Sequence, residues 1–175
     1  FVPGCEGNIS VKWLTQIKLT REPTHFRDET SKYTDTRLDR KSQQFTFPMG
    51  TKSVITAPSG QMKLARQGIY QVTGIAWSGR GSIRRVEVSA DGGRTWADAM
   101  IDSHQSEKAL ARFTIPWQWS GGDAVLQSRA TDSQGNVQPT RTSLVTEKGN
   151  ISTYHFHGIQ SWAVNTAGDV ANVYA

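Results

Sequence analysis

Two histidines one residue apart, His155 and His157, are the residues of this chain whose type and spacing first suggest chemistry. In a strand they would face the same side, and two imidazoles on one face can ligate a metal ion. The sequence places no HExxH motif, third ligand or neighbouring acid beside them. We therefore predict a surface or interface role for these two and for His25 and His104, and no metal site.

The segment SADGGRTW, residues 89–96, is a second candidate because it fits the S-x-D-x-G-x-T-W pattern called the Asp box in sialidase-type propellers. A sialidase needs several blades and a catalytic set of arginines, a tyrosine and acids, whereas this chain of 175 residues has one box. We interpret the box as a hairpin in which Asp91 caps the turn and Trp96 packs beneath it. Because no G-x-S-x-G elbow, P-loop or convincing acid pair is present, the segment carries no complete catalytic apparatus.

Composition narrows the classes of partner. The formal net charge is +5, but the 20 lysines and arginines are scattered rather than clustered, so we expect no nucleic-acid partner. No apolar run approaches the roughly 18 residues that span a bilayer, so we expect no membrane span. Cys5 is the only cysteine, which excludes an internal disulfide or a thiolate metal cluster within the chain. The mild positive field would suit small anions or an acidic protein.

The elements that must position these residues are short strands separated by turns. From residue 45 onward, alternating apolar residues and breaks rich in Gly, Pro, Ser, Asp and Asn predict seven strands and an immunoglobulin-like β-sandwich. We expect Tyr70, Val72 and Gly74 to share one face of the central strand. The predicted strands cover residues 51–56, 68–76, 82–89, 95–101, 109–117, 123–131 and 161–173.

Residues 1–44 differ in character from the rest. They are polar and highly charged, with one apolar segment at residues 11–19 that alternates from Trp13 onward and predicts a strand. Residues 21–44 have few side chains able to fill a core, so we predict a long excursion over a surface. The change in composition predicts a boundary between residues 1–44 and 45–175.

Three segments in order carry a resemblance: GNISVKWLTQIKL at 7–19, YQVTGIAWSGRGSIRRVEVSADGGRTW at 70–96, and LQSRATDSQGNVQP at 126–139. Together they resemble the C-terminal part of sulfite oxidase family molybdoenzymes, most closely those of the sulfane dehydrogenase type. The resemblance covers nearly the whole chain. It implies that residues 1–44 end a molybdopterin-binding domain and that residues 45–175 form an immunoglobulin-like dimerisation domain.

The resemblance also implies roles for individual residues. Ser10, Val11 and Lys12 correspond to an element that contacts the molybdopterin phosphate end, and exposed amides, a hydroxyl and an ammonium suit such an anion. His155 lies in the stretch where some members place an arginine toward the anionic substrate. The molybdenum-ligating cysteine of the family belongs to a preceding domain, so Cys5 is not that ligand.

The prediction is therefore an all-β chain from a periplasmic enzyme that oxidises sulfite or sulfane sulfur and passes electrons to a c-type cytochrome subunit. Mo-molybdopterin is expected in the full-length parent and not in this chain alone, which should be inactive by itself. Its expected contributions are homodimer contacts and part of the molybdopterin site. The alternative is a non-catalytic immunoglobulin-like interaction or carbohydrate-binding module.

Overall fold

The computed structural model describes residues 1–27, 30, 32–103, 106–149 and 156–174. It confirms the prediction of an all-β chain, and its two packed sheets are consistent with an immunoglobulin-like sandwich. A 3-10 turn at Gly7–Ile9 precedes the strands. They are β1 (Asp35–Thr36), β2 (Ser42–Gln43), β3 (Lys52–Ala57), β4 (Gly68–Trp77), β5 (Ile83–Ser89), β6 (Ala97–Asp98), β7 (Met100–Ile101), β8 (Ala111–Trp119), β9 (Ala124–Asp132), β10 (Ser161–Val164) and β11 (Val170–Val173), with helix α1 (Arg141–Lys148) between β9 and β10.

The sandwich consists of a four-stranded sheet, in the order β3-β4-β8-β7, and a five-stranded sheet, in the order β11-β10-β9-β5-β6. All pairs of neighbouring strands are antiparallel. Apolar side chains from both sheets meet in one core that includes Val72, Val86, Phe113, Leu126 and Val164. Burial of this core is the main source of the stability of the fold.

Strand β4 lies inside the four-stranded sheet, between β3 and β8, as its alternation predicts. Val72 and Gly74 are buried on its core face, and Tyr70 packs against the core from the same side. Gly74 has no room for a side chain, because a Cβ there would lie 2.2 Å from Cζ of Phe113 and 2.4 Å from the carbonyl oxygen of Val54. A glycine in mid-strand therefore allows close packing against an aromatic ring.

The predicted strand at residues 95–101 is in fact two strands in different sheets. β6 pairs with β5 in the five-stranded sheet, and β7 pairs with β8 in the four-stranded sheet. Only Ala99 separates them, and its amide still donates to the carbonyl of Val86 at 2.9 Å. The chain thus crosses from one sheet to the other within one residue.

The predicted strand at residues 161–173 is also divided, into the antiparallel hairpin of β10 and β11. At its turn the side-chain oxygen of Asn165 accepts hydrogen bonds from the amides of Ala167 and Asp169, at 3.0 and 2.9 Å. Asparagine favours such turns because its side chain replaces a backbone acceptor. Asn165 is a turn signal in the sequence, but the alternating residues on either side of it favoured the prediction of one continuous strand.

The predicted strand at residues 11–19 is wrong. Residues 11–20, all of them described, form neither strand nor helix, and Trp13 has a left-handed φ of 56°. Trp13, Ile17 and Leu19 are 95, 75 and 93% exposed. A strand needs a neighbour for its backbone hydrogen bonds, and no strand of the described sheets pairs with this segment.

Between residues 32 and 44, all of them described, the regular structure is the pair of two-residue strands β1 and β2. Helix α1 was not anticipated. Its N-cap is Thr140, whose hydroxyl accepts from the amide of Ser143 at 3.1 Å, and Gly149 ends it with a φ of 82°. A capping threonine and a terminating glycine are recognisable helix signals, but eight residues are too few to show a clear period.

Candidate functional site

A cleft of about 420 Å³ opens where the N-terminal segment, residues 1–44, meets one end of the sandwich. Its walls come from separate parts of the chain: the N-terminal residues, the start of β3, the turn after β9, the end of α1, and the stretch just before β10. Its charged and titratable lining consists of Glu6, Asp35, Arg80, Glu147, Lys148 and His157. The arrangement can hold a polar or charged group.

The buried carboxylate of Asp132 is bonded to two residues that line this cleft, Thr51 and Asn136. Its Oδ2 accepts hydrogen bonds from the hydroxyls of Thr51 and Ser78, at 2.8 and 2.7 Å. Its Oδ1 accepts from the amides of Gln134 and Asn136, at 3.0 and 2.9 Å. Burial raises the pKa of Asp132, but these bonds and that from the Asn136 side chain outweigh burial and lower the pKa to about 2.

A second buried side chain, Gln138, joins the two sheets below the cleft. Its Oε1 accepts from the Ser53 amide and hydroxyl, at 2.9 and 2.7 Å, and from the Ala130 amide at 3.2 Å. Its Nε2 donates to the carbonyls of Ser53 and Gly158. One amide group therefore connects β3, β9 and the segment that carries His157, so the walls of the cleft are fixed relative to each other.

The acidic side of the cleft is only partly neutralised. Lys148 Nζ lies 3.4 Å from Oδ2 of Asp35, whose side chain is buried. The other oxygen of Asp35, Oδ1, is buried without a hydrogen-bond partner in the described structure. Burial raises the pKa of Glu6; the hydrogen bond from Thr46 opposes this and the charge of Asp35 adds to it. Glu6 therefore holds its proton more readily than an exposed glutamate.

The N-terminal segment is joined to the sandwich through backbone hydrogen bonds. Met49 donates to Gly4 and Gly79 donates to Met49, each at 2.9 Å, while Glu6 donates to Phe47 at 2.8 Å. A Cβ on Gly79 would lie 2.1 Å from the carbonyl oxygen of Gly4 and 2.5 Å from the Met49 nitrogen. The close approach of these backbones requires glycine at position 79.

Ser10, Val11 and Lys12 follow the 3-10 turn and do not line the cleft. The Ser10 hydroxyl accepts from the amide of Val2 at 3.2 Å, which leaves its own proton free to be donated. Val11 and Lys12 are exposed, and Lys12 forms no ion pair with a described residue. The three residues are therefore accessible to a ligand.

His155 lies outside the described residues. His157 packs its ring against Gly50 and lines the cleft, and the carbonyl of Phe156 accepts a hydrogen bond from Lys52. Burial lowers the pKa of Lys52. Within the described residues no group of His, Cys, Asp or Glu is arranged to hold a metal ion.

The Asp box forms a capped hairpin, as the sequence predicts. The two oxygens of Asp91 accept from the amides of Arg94 and Thr95 and from the Thr95 hydroxyl, at 2.9, 2.9 and 2.6 Å. These bonds, led by that from the Thr95 hydroxyl, hold the pKa of Asp91 well below its usual range. Trp96 donates to the Gly93 carbonyl and lies under the Arg129 guanidinium. The box therefore has a structural role.

Sequence reasoning did not identify Asp132, Gln138 or the Glu6–Asp35–Lys148 cluster. A local signal existed for Asp132, because an aspartate followed four residues later by Asn136 is typical of a capped turn. Its partners Thr51 and Ser78 lie 81 and 54 residues away. Contacts over that distance depend on which strands become neighbours, and a single sequence does not contain that information.

Comparison with known proteins identifies the class. A model of the Mo-co oxidoreductase dimerisation domain matches residues 43–161, and the chain belongs to that family. Sulfite oxidase of Gallus gallus is 30% identical over 168 residues, which are 87% of this chain and 36% of that protein. A nitrate reductase [NADH] of Hordeum vulgare is 30% identical over 166 residues, covering 80% of this chain and 18% of that protein. The chain is a dimerisation domain of the sulfite-oxidase type of molybdenum oxidoreductase.

Among solved structures, the sulfane dehydrogenase SoxCD from Paracoccus pantotrophus matches with a TM-score of 0.96 and 44% sequence identity. The match covers 100% of this chain and 45% of that one. The resemblance to sulfite oxidase family enzymes is thereby confirmed. The chain spans less than half the length of each of these relatives. No helix among the described residues is long and apolar enough to cross a membrane.

Proposed function

We propose that this chain is the C-terminal part of a periplasmic molybdoenzyme that oxidises sulfite or sulfane sulfur and passes the electrons to a c-type cytochrome subunit. The observation that carries the proposal is the similarity to sulfane dehydrogenase SoxCD over the entire chain, at 44% identity. In this proposal residues 45–175 form a homodimer contact. Residues 1–44 complete the molybdopterin-binding domain.

The exposure of residues 11–19 supports a role for the N-terminal segment in a larger domain. Trp13, Ile17 and Leu19 expose most of their apolar surface, and burial of one such side chain contributes about 1.5–3 kcal/mol. The residues just before them, Gly4 and Glu6, are hydrogen-bonded to Met49 and Phe47 at the start of the sandwich. Apolar side chains exposed in this way are what an adjoining protein surface would cover.

The chain's own residues fit the phosphate end of a molybdopterin. The Ser10 hydroxyl has a free proton, Lys12 has no ion-pair partner among the described residues, and both are accessible. A hydroxyl and an ammonium are suitable donors to a phosphate, and the Val11 amide would add a third. When bound, the molybdenum cofactor would supply the two-electron acceptor for oxidation of the sulfur substrate. Ser10, Val11 and Lys12 would orient its anionic end.

His155 is proposed as a contact to the anionic substrate. Two residues further along the chain, His157 packs against Gly50 at the cleft. A protonated imidazole would attract an oxyanion of sulfur, and such attraction strengthens as pH falls through the pKa of histidine.

The test compares Lys12→Ala with Lys18→Ala in the full-length protein, produced in a host that makes molybdopterin. Both lysines are exposed in the same segment, so the second variant controls for charge. Loss of one charge-assisted hydrogen bond should weaken cofactor retention roughly tenfold for Lys12→Ala and leave Lys18→Ala unchanged. The readouts are molybdenum content and the rate of cytochrome c reduction with sulfite or a cysteine persulfide protein.

Equal molybdenum contents in the two variants would remove Lys12 from the cofactor site. A full-length protein that takes up no molybdenum and reduces no cytochrome c would overturn the proposed enzyme and favour the alternative, an interaction or carbohydrate-binding module.

A further inference from the structure

The cleft between the N-terminal segment and the sandwich is opposite in charge to the chain as a whole. The sequence carries a formal charge of +5. The cleft presents three carboxylates, those of Glu6, Asp35 and Glu147, against the two cations Arg80 and Lys148. Its lining is therefore negative by one charge when its histidine is neutral. A negative pocket in a basic protein attracts cations rather than anions.

One acceptor in this cleft has no donor. The side chain of Asp35 is 6% exposed, and its Oδ1 accepts no hydrogen bond in the described structure. The other oxygen lies 3.4 Å from Nζ of Lys148, which is longer than the roughly 2.7–2.9 Å of a strong charge-assisted bond. Buried acceptors without a partner are rare in folded proteins. Oδ1 of Asp35 therefore marks a place for a donor that the described part of the chain does not supply.

A second carboxylate in the cleft has spare capacity to accept hydrogen bonds. Oε1 of Glu6 accepts from the Thr46 hydroxyl at 3.3 Å, whereas Oε2 accepts no hydrogen bond from a described residue. Burial is the main cause that raises the pKa of Glu6, and the negative charge of Asp35 adds to it. A cation bound beside the two carboxylates would oppose both effects, because it replaces lost hydration and offsets their repulsion.

The remaining walls of the cleft favour a cation that is carried on an alkyl chain. Pro48, Val137 and Pro139 line the cleft and add apolar surface to the same space as the acids. A methylene stem with a charged end combines the same two characters. A planar guanidinium has five N–H donors and can bridge two carboxylates, whereas an ammonium is a compact point charge. Among the described residues, His, Cys, Asp and Glu are not grouped so as to hold a metal ion.

We propose that this cleft is a binding site for a guanidinium group on an alkyl chain, held by the carboxylates of Asp35 and Glu6. A volume of about 420 Å³ lies in the range of pockets that take small organic ligands. The χ2 torsion of aspartate is broad, so a small rotation can turn Oδ1 of Asp35 toward a donor in the cleft. Lys148 is then the cation with which the guanidinium competes.

Two sources could supply this group. One is a free guanidinium compound, and the other is an arginine of an adjoining protein surface, such as the surface proposed to cover residues 11–19. The chemistry of recognition is the same for both, and it does not depend on the proposed molybdenum enzyme.

The test titrates N-acetyl-arginine amide, whose single charge is the guanidinium, into the chain of 175 residues at pH 7 by isothermal titration calorimetry. Asp35→Asn should raise the dissociation constant at least tenfold, because it removes a charged acceptor. Asp39→Asn makes the same charge change four residues away and keeps the oxygen that accepts from the Lys41 amide, so binding should change less than twofold. N-acetyl-citrulline amide has the same shape without the charge and should not bind. Melting temperatures show that each variant is folded.

Lys148→Met should have the opposite effect. Removal of this lysine leaves the buried Asp35 carboxylate unpaired, so the guanidinium should bind at least tenfold more tightly. Lys41→Met makes the same charge change at an exposed site and should alter binding less than twofold. A gain in affinity cannot result from poor folding, so this variant separates binding from stability.

No binding by the folded wild-type chain, equal affinities of wild type, Asp35→Asn and Lys148→Met, or equally tight binding of the citrulline compound would each overturn the site. The same titration of the full-length protein separates the two sources. Binding there as well supports the site with a free guanidinium compound as its ligand. Binding by the 175-residue chain alone supports the site with an arginine of the longer protein already in the cleft.

Discussion

At the scale of single residues, the most constrained group is the Asp132 carboxylate. It accepts hydrogen bonds from the buried hydroxyls of Thr51 and Ser78 and from the turn that follows β9. A carboxylate can accept at both oxygens, whereas an amide presents an N–H₂ group where one oxygen stood. In Asp132→Asn the N–H₂ group would face either the two hydroxyls, which would have to rotate and give up this acceptor, or the amides of Gln134 and Asn136, which cannot accept.

We predict that Asp132→Asn lowers the free energy of unfolding by about 3 kcal/mol, because buried donors lose their acceptor. Asp123→Asn, at an exposed position before β9, should change it by less than about 0.5 kcal/mol. Urea denaturation at neutral pH measures both. Equal stabilities of the two variants would contradict the role given to Asp132.

The low pKa of Asp132 also predicts a pH dependence. The folded pKa of about 2 lies below the ordinary value of 3.8, so the stabilisation is present above pH 3.8 and is lost as pH falls through about 2. The free energy of unfolding of the wild type should fall over this interval. In Asp132→Asn that part of the decrease should be absent.

At the scale of elements, the joint between the N-terminal segment and the sandwich depends on backbone contact. Gly4, Met49 and Gly79 form a continuous series of hydrogen bonds, and neither glycine leaves space for a side chain. Because this joint consists of few groups, we expect one added methyl to open it.

Gly79→Ala should detach residues 1–10 from the sandwich and cost about 1–3 kcal/mol, since its Cβ would overlap the Gly4 carbonyl and the Met49 amide. Limited proteolysis should then cleave between residues 1 and 44 at least tenfold faster. Gly122→Ala is the control, because a Cβ there meets nothing within 4 Å. Identical cleavage rates for both variants would show that the joint does not depend on this approach.

Element boundaries show what the sequence could and could not predict. Strands with clear alternation and glycine-rich turns, such as β4 and β5, were predicted to within a residue or two. The segment at residues 11–19 alternates equally well, yet without a neighbouring strand it forms no ladder. Helix α1 is too short for its period to be visible. The division of residues 95–101 depends on sheet packing, which a local pattern does not record.

The same limits apply to the site. The importance of residues 7–12 came from resemblance, and the roles of Ser10, Val11 and Lys12 stay predictions. The cleft was not predicted, because Glu6, Asp35 and Lys148 are separated by up to 142 residues and meet only after the fold has formed. Single polar residues in a polar segment give no sign of burial. The hydrophobic pattern predicts a core, but it does not predict which polar groups the core will enclose.

At the scale of the whole molecule, the N-terminal segment and the sandwich share a cleft with buried acids. Burial raises the pKa of Glu6 above 4.5, its value in the unfolded chain. Because the folded pKa is raised, Glu6 stabilises the attachment of the N-terminal segment to the sandwich most strongly below pH 4.5. This contribution is lost as pH rises through the folded pKa. Attachment of the segment should therefore weaken with rising pH.

Glu6→Gln should remove this dependence, because the amide keeps an acceptor for Thr46 without the charge. Hydrogen exchange of the Met49 amide, which donates to Gly4, reports on attachment. We expect wild-type protection at Met49 to decrease from pH 4.5 to 7 once intrinsic exchange is subtracted, and protection in Glu6→Gln to stay constant. Glu22→Gln, at an exposed site, should behave as wild type. A constant wild-type protection would contradict the prediction.

The crossing at Ala99 has a consequence for how the sandwich comes apart. The Ala99 amide donates to β5 in the five-stranded sheet, and the next residue, Met100, pairs with β8 in the four-stranded sheet. At this point the two sheets are therefore joined by a covalent link only one peptide long. Neither layer can slide or peel away by more than a few ångströms unless β6 or β7 is pulled out first. A pulling force applied to one sheet would therefore be transmitted directly to the other sheet. We expect the two sheets to unfold together under force rather than one after the other.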